Sequence, residues 1–286
     1  MERGPARAIR LILIGLIGID VDGTLLDSLG QMPEANREAI HEAVAAGIHV
    51  VLVTGRSYPF ARPVADGLPA AITLIVSNGA IERGMDGRTL ARRLLNRHVA
   101  LAVLDATRPY RDAAALIFDR DTERQVVFET MDWEQPNRKG YWSRNRALIE
   151  RSVPLELALT EDPIQVMFNG GVTEMRALAG SLDAAARDDF AVSLTEYEHR
   201  DFSLIDITSP AATKGRALDW RARELGLERE EVMAVGDNFN DLEMLEYAGC
   251  PVVMANAVAP LRDRGWHVTG HQDDGGLADA IRRFAL

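Results

Sequence analysis

One cysteine, Cys250, stands in a chain of 286 residues. An intrachain disulfide and a cysteine-based zinc cluster are therefore excluded. Placed before Pro251 and an apolar segment, this thiol reads as core packing rather than as a nucleophile. Basic charge is scarce too: 32 Lys and Arg face 43 Asp and Glu, a net charge of −11. That balance removes any electrostatic case for nucleic acid or an anionic membrane as partner. The six histidines form no ligand-spaced pair. Low-complexity tracts and long-period repeats are missing as well.

Long hydrophobic runs are also lacking. The apolar stretch from Leu11 to Ile19 is far too short to span a bilayer as a helix. Arg3, Arg7 and Arg10 ahead of it imitate a secretion signal, but no small-residue cleavage site follows. The stretch is expected to be the first buried strand of a cytoplasmic protein. A chain of this length holds one large or two modest domains.

What the sequence does contain is an abrupt change of character after Ile19. The segment Asp20-Val21-Asp22-Gly23-Thr24 puts two carboxylates one residue apart at the end of an apolar run. An ionised carboxylate inside an apolar interior is very costly unless it is paired or bound to a cation. Asp20 and Asp22 are thus expected where a strand stops, at the edge where open α/β sheets bind ligands. Two acidic oxygens there suit a hard divalent ion such as Mg2+; the plainer alternative is a turn cap.

The pattern that follows is α/β. Pro33 to Gly47 reads as a helix, and Ile48–Val53 as a strand ending in Thr54-Gly55-Arg56. A right-handed parallel crossover would bring Thr54 to the same sheet edge as Asp20. There a hydroxyl and neighbouring N–H groups before a helix make a phosphate cradle. A helix through Tyr58–Gly67 and a strand over Ala71–Val76 continue the alternation. After Arg83 the texture changes, with strands expected near 113–118, 125–128, 164–168, 190–194 and 202–207. Helices are expected near 99–107, 143–150 and 174–186, with Asp132–Arg146 left as a long polar stretch. This middle part reads as a separate α+β module inserted in the first. The alternation resumes with a helix opening at Lys214, a strand at Val232–Val235, and Gly236-Asp237-Asn238-Phe239-Asn240-Asp241.

Four of these motifs, Asp20-Val21-Asp22-Gly23-Thr24, Thr54, Lys214 and Gly236-Asp237-x-x-Asn240-Asp241, resemble in order those of the haloacid dehalogenase superfamily of phosphohydrolases. The ending from Gly236 to Leu245, together with Ser77-Asn78-Gly79-Ala80 and Met254-Ala255-Asn256-Ala257, is similar to its Cof-type branch. The resemblance implies a doubly wound, Rossmann-like parallel-sheet core formed by residues 1–82 and 209–286. An α+β cap over residues 83–208 would select the substrate. It implies a Mg2+-dependent phosphatase of small phosphorylated metabolites, sugar phosphates foremost, working through an aspartyl-phosphate.

On that resemblance and the residue types, Asp20 is the expected nucleophile. Asp22 is the expected acid and base, holding its proton through proximity to Asp20. Lys214 is the cation for the phosphoryl oxygens, and Thr54, Gly55 and Asn240 hold phosphate. Mg2+ would be bound by Asp20, the backbone oxygen of Asp22, and Asp237, with Asn238 and Asp241 behind them. Capping of the following helix competes for Asn238, Asn240 and Asp241. A phosphomutase of the same superfamily is the alternative enzyme; a non-catalytic phosphometabolite sensor is the alternative without chemistry. Arg138, Lys139, Arg144 and Arg146 read as a solvated basic loop or as contacts to a second anionic group. Trp133, Tyr141 and Trp142 read as cap packing or as a stacking platform.

Overall fold

A computed structural model describes residues 13–120, 123–184, 188–198 and 201–286. Arg3, Arg7, Arg10, Leu11 and Ile12 lie outside the described residues, as does the side chain of Arg144. The chain divides into two compact units. One is made of the residues up to Val76, Arg83–Arg88 and Lys214–Leu286; the other of Ser77–Glu82 and Thr89–Thr213.

The first unit is α/β. Its elements in chain order are β1 (Leu16–Asp20), α1 (Glu34–Ala45), β2 (His49–Val53), α2 (Tyr58–Ala61) and β3 (Thr73–Val76). Short strand β4 (Ile81–Gly84) is divided between the two units, and β5 (Thr89–Arg92) belongs to the second. That unit contains α3 (Arg97–Ala106), β6 (Ala114–Ile117), β7 (Val126–Phe128), α4 (Pro136–Asn145), β8 (Ile149–Arg151), β9 (Gln165–Gly170), α5 (Val172–Ala184), β10 (Ala191–Tyr197) and β11 (Phe202–Thr208). The first unit resumes with α6 (Lys214–Glu224), β12 (Val232–Gly236), α7 (Leu242–Tyr247), β13 (Cys250–Val253), α8 (Ala259–Arg262), β14 (His267–Val268) and α9 (Gly276–Phe284).

Within the first unit the sheet runs β14-β13-β12-β1-β2-β3, every pair parallel. Parallel strands covered by helices on both faces read as continuous apolar runs, and β1 and β12 are buried throughout. Helices α6 and α7 pack on the face carrying Leu16, Val51, Val53 and Ile75. Helices α1 and α9 pack together and touch β2 and β12 respectively. The strand order reverses between β1 and β12, the switch point where such sheets open a crevice at the strands' carboxyl ends.

The second unit carries a sheet ordered β10-β11-β9-β6-β7-β8, antiparallel except for β7 beside β8. One face holds the larger core, in which Val103, Leu116, Phe168, Met175, Leu178 and Ile205 pack under α3 and α5. The opposite face carries a smaller cluster of Ala115, Val126, Phe128, Met131 and Trp133.

Three expectations are corrected. The first strand begins only at Leu16, and Leu13 is 72% exposed. Asp132–Arg146 is not a loop: Pro136 at the amino end, where its missing N–H costs nothing, opens α4 through Asn145. Of the helix expected over 143–150, residues 143–145 are the end of α4 and 146–148 a single tight turn, and only 149–150 enter β8, paired with β7.

Candidate active site

Asp20 is the last residue of β1, and β1 pairs with β12, whose end delivers Asp237. Thr54 follows β2, the neighbour of β1 on the other side. The parallel register therefore carries three distant segments to the same sheet edge. Lys214 opens α6 and is 1% exposed; Asp241 ends the turn after β12 and is fully buried.

The Lys214 ammonium donates to Asp20 Oδ1 at 2.5 Å and to Asp241 Oδ1 at 2.7 Å. The other Asp241 oxygen accepts the backbone N–H groups of Asp237 and Asn238, both at 3.0 Å. Asp241 is thus fixed at both oxygens, and it orients Lys214 while closing the loop that carries Asp237. Asn238 caps the same turn, its side chain accepting the Phe239 N–H at 2.8 Å. Asn240 and Gly55 are exposed. Thr54 is buried, and its hydroxyl accepts the Arg56 N–H at 3.1 Å, stiffening the turn after β2.

The loop after β1 is held by groups whose role the sequence did not announce. Asn256 donates to the Gly23 carbonyl at 2.8 Å and accepts the Gln272 N–H at 2.9 Å. Buried Asn36 donates to the Leu25 carbonyl at 3.0 Å and accepts the Ala278 N–H at 3.1 Å. Gly23 has φ +94°, and a Cβ there would meet Asp237 Oδ2 at 2.4 Å. No other residue allows that approach.

Carboxylate oxygens of Asp20, Asp237 and Asp241 lie within 4.8 Å of one another. Burial raises the Asp20 carboxyl well above its usual value, and the Asp241 charge raises it further. Burial and Asp241 likewise push Asp237 up to about 6. Burial opposes the charge on Lys214, but Asp20 and Asp241 overcome it and keep the ammonium protonated. Three carboxylates thus share one ammonium, an excess of negative charge in a buried place that a cation relieves. Oxygen-only donors of this kind fit a hard divalent ion such as Mg2+.

Asp22 departs from expectation. Its carboxylate is solvent-facing and engaged by Arg56, which donates Nε to Oδ2 at 2.9 Å and Nη2 to Oδ1 at 2.5 Å. Its hydrogen-bonding neighbour is a guanidinium, not Asp20. The hydrogen bonds to Asp22 hold Arg56 firmly protonated. Arg56 is the residue that sequence reasoning passed over, although it stood next to Thr54 in the same short motif.

A family model described as haloacid dehalogenase-like hydrolase matches residues 17–281. Among curated relatives, the 5-amino-6-(5-phospho-D-ribitylamino)uracil phosphatase YwtE of Bacillus subtilis (strain 168) is 28% identical over 284 residues. That match covers 92% of this chain and 95% of the relative. A phosphoglycolate phosphatase of Methanothermobacter thermautotrophicus is 28% identical over 269 residues, covering 94% and 97%. Among solved structures, the phosphatase BT1666 from Bacteroides thetaiotaomicron superposes with a TM-score of 0.77 at 22% identity. It covers 96% of this chain and 97% of its own.

Proposed function

The chain belongs to the haloacid dehalogenase-like hydrolases, of the Cof type, and from that premise we propose a Mg2+-dependent phosphatase of small phosphorylated metabolites, sugar phosphates foremost. The observation that carries this reading is the buried Lys214 ammonium joined to Asp20 at 2.5 Å and to Asp241 at 2.7 Å, with a half-buried Asp237 carboxylate oxygen within 4.8 Å of theirs. Phosphate esters resist attack because the nucleophile must approach an anion, so a site must neutralise charge and fix geometry. Phosphatases among the curated relatives support the same reaction class.

In this reading the free oxygen of Asp20 attacks phosphorus and forms an aspartyl-phosphate while the ester O–P bond breaks. Lys214 offsets charge on the Asp20 carboxylate and on the incoming phosphoryl oxygens. Thr54 and the Gly55 N–H would receive another phosphoryl oxygen, with Asn240 as a further contact. Asp22 passes a proton to the departing alcohol oxygen and later takes one from the water that splits the aspartyl-phosphate. To do so its carboxyl has to leave Arg56, whose guanidinium would turn to the phosphate dianion instead. Asp20, the backbone oxygen of Asp22, and Asp237 would hold Mg2+, with Asn238 and Asp241 behind them. When bound, the ion supplies charge stabilisation at the phosphoryl group. The inserted α+β unit acts as the cap that selects the alcohol.

The test is phosphate release from an aryl phosphate with Mg2+. The wild type turns over and loses activity in a chelator, whereas Asp20→Asn releases nothing above background. Equal release by both proteins overturns the proposal.

A further inference from the structure

The second unit contains a cavity that phosphoryl chemistry does not use. On β9 and β11 the pleat sends Val166, Phe168, Ile205 and Ile207 into the core beneath α3 and α5. The alternate residues Met167, Phe202, Leu204 and Asp206 therefore face the other way. Their register is fixed, with Asp206 opposite Met167 and Leu204 opposite Asn169. Helix α4 and the segment before it lie against this second face, leaving a cavity of about 640 Å³. Trp133, Arg138, Tyr141, Met167, Phe202 and Leu204 are among its lining residues. The volume falls within the range of small-molecule sites.

The walls of the cavity are chemically unequal. One is flat and aromatic. The Tyr141 ring stacks on Trp133 at 18° with centroids 6.3 Å apart, and Trp133 stacks on Trp142 at 27° and 5.5 Å. Phe128 braces Trp133 edge-on at 5.3 Å. Tyr141 remains 39% exposed, so the stack has ring surface left to cover.

Beside this wall sits a buried cation. Arg138 is 7% exposed, and among the described residues no carboxylate is in direct ion-pair contact with it, the charges of Asp112, Asp132 and Glu174 acting from farther off. Its guanidinium is held by neutral acceptors: Asn169 Oδ1 at 2.5 Å, the Asn169 carbonyl at 2.6 Å and the Asp132 carbonyl at 3.3 Å. A buried charge held only by neutral acceptors is costly, and that cost falls if a ligand brings further acceptors into the cavity. On the same strand face Asp206 accepts from Gln165 Nε2 at 2.6 Å.

We propose that this cavity binds a planar, carbonyl-bearing nitrogen heterocycle of the oxopyrimidine or oxopurine class, its face on Tyr141 and its carbonyl edge toward Arg138. Stacking accounts for the flat wall, and ring carbonyls match the guanidinium. A polyol has no face to stack, and a simple arene has no acceptors. The site is independent of the phosphatase reading, because ring recognition needs neither phosphate nor Mg2+.

The experiment is calorimetric titration of the full chain with uridine and guanosine, neither of which carries phosphate, against D-ribose and indole. The expected result is saturable binding of at least one nucleoside, at least about tenfold tighter than indole, with no heat from ribose. Tyr141→Ala is expected to weaken nucleoside binding about tenfold, the scale of one lost base–aromatic stack. Leu204→Lys, which fills the cavity, abolishes it. Phosphate release from acetyl phosphate, which has no ring, reports that each variant still folds and works. Absence of heat from both nucleosides at millimolar concentration overturns the proposal. So does indole binding as tightly as they do, or unchanged affinity in a folded Tyr141→Ala protein. Because the probes lack phosphate, an inactive hydrolase would leave these isotherms as they are.

Discussion

The two sheets solve burial differently, and their polar residues are displaced to different places as a result. In the first unit, β1 and β12 are buried on both faces. Charged side chains have no room along such strands and collect where the strands stop, as Asp20 and Asp237 do. In the second unit, β9 and β11 alternate between buried and half-buried positions. One face is core and the other is available, so polar groups such as Gln165, Asn169 and Asp206 sit within the strands. A sheet buried on both faces concentrates chemistry at its edge; a sheet buried on one face spreads it over a surface.

The contrast extends to electrostatics. The first site has too many carboxylates for its one ammonium, whereas in the second cavity the guanidinium is hydrogen-bonded only by neutral acceptors. The first calls for a cation, the second for acceptors. Substitutions can separate these demands.

The sharpest break is Asp20→Asn. If phosphoryl transfer belongs to the first unit alone, this change lowers the rate at least about 10⁴-fold, while nucleoside binding by calorimetry is unchanged. A variant with full phosphate release would remove the first half of the contrast. Next in size is Lys214→Met. Removing the ammonium leaves Asp20 and Asp241 buried without a cation, a loss of about 3–5 kcal/mol in denaturant unfolding. A stability equal to wild type would mean that those carboxylates are not charged together.

A smaller effect is expected at Asp206, where burial pushes the carboxyl up to about 6. The folded state holds this proton more tightly than the unfolded chain does. The stabilisation is therefore complete below about pH 4 and is lost as pH rises through about 6. The size is at most about 3 kcal/mol. Asp206→Asn should flatten that segment of the stability–pH curve, and an unchanged slope would place the titration elsewhere. Smallest is the gain from Mg2+ itself. At a hundredfold excess over its dissociation constant the ion should stabilise the wild type by about 2.7 kcal/mol in thermal unfolding. Asp237→Ala should lose this gain. An equal gain in both would show that the ion binds away from the acidic cluster.

How much of this was legible depended on the same difference between sheets. Asp20 could be read because an apolar run broke into acids, and Lys214 and Asp237 because they stood in motifs of fixed order. The doubly wound core was legible for a related reason: parallel strands buried on both faces appear as uninterrupted apolar segments. Arg56 was written beside Thr54, yet nothing in the sequence said that its guanidinium would take both oxygens of Asp22. Asn256 and Asn36 were equally silent, because a buried amide's value lies in which carbonyl it reaches. Helix α4 was hidden by its composition: Asn137, Gly140, Ser143 and Asn145 are weak helix formers, and packing of Trp142 in the aromatic cluster overrides them.

By itself the sequence determined the alternation of strand and helix, the breaks at which carboxylates leave the core, and the order of the four motifs. These are local properties, set by apolar periodicity and by the cost of burying charge. Only the tertiary structure decided that Lys214 lies between Asp20 and Asp241, that Arg56 holds Asp22, and that Asn169 holds Arg138. Each is a pairing across tens to hundreds of residues. Such pairings follow from strand order and register, which no short stretch of chain encodes.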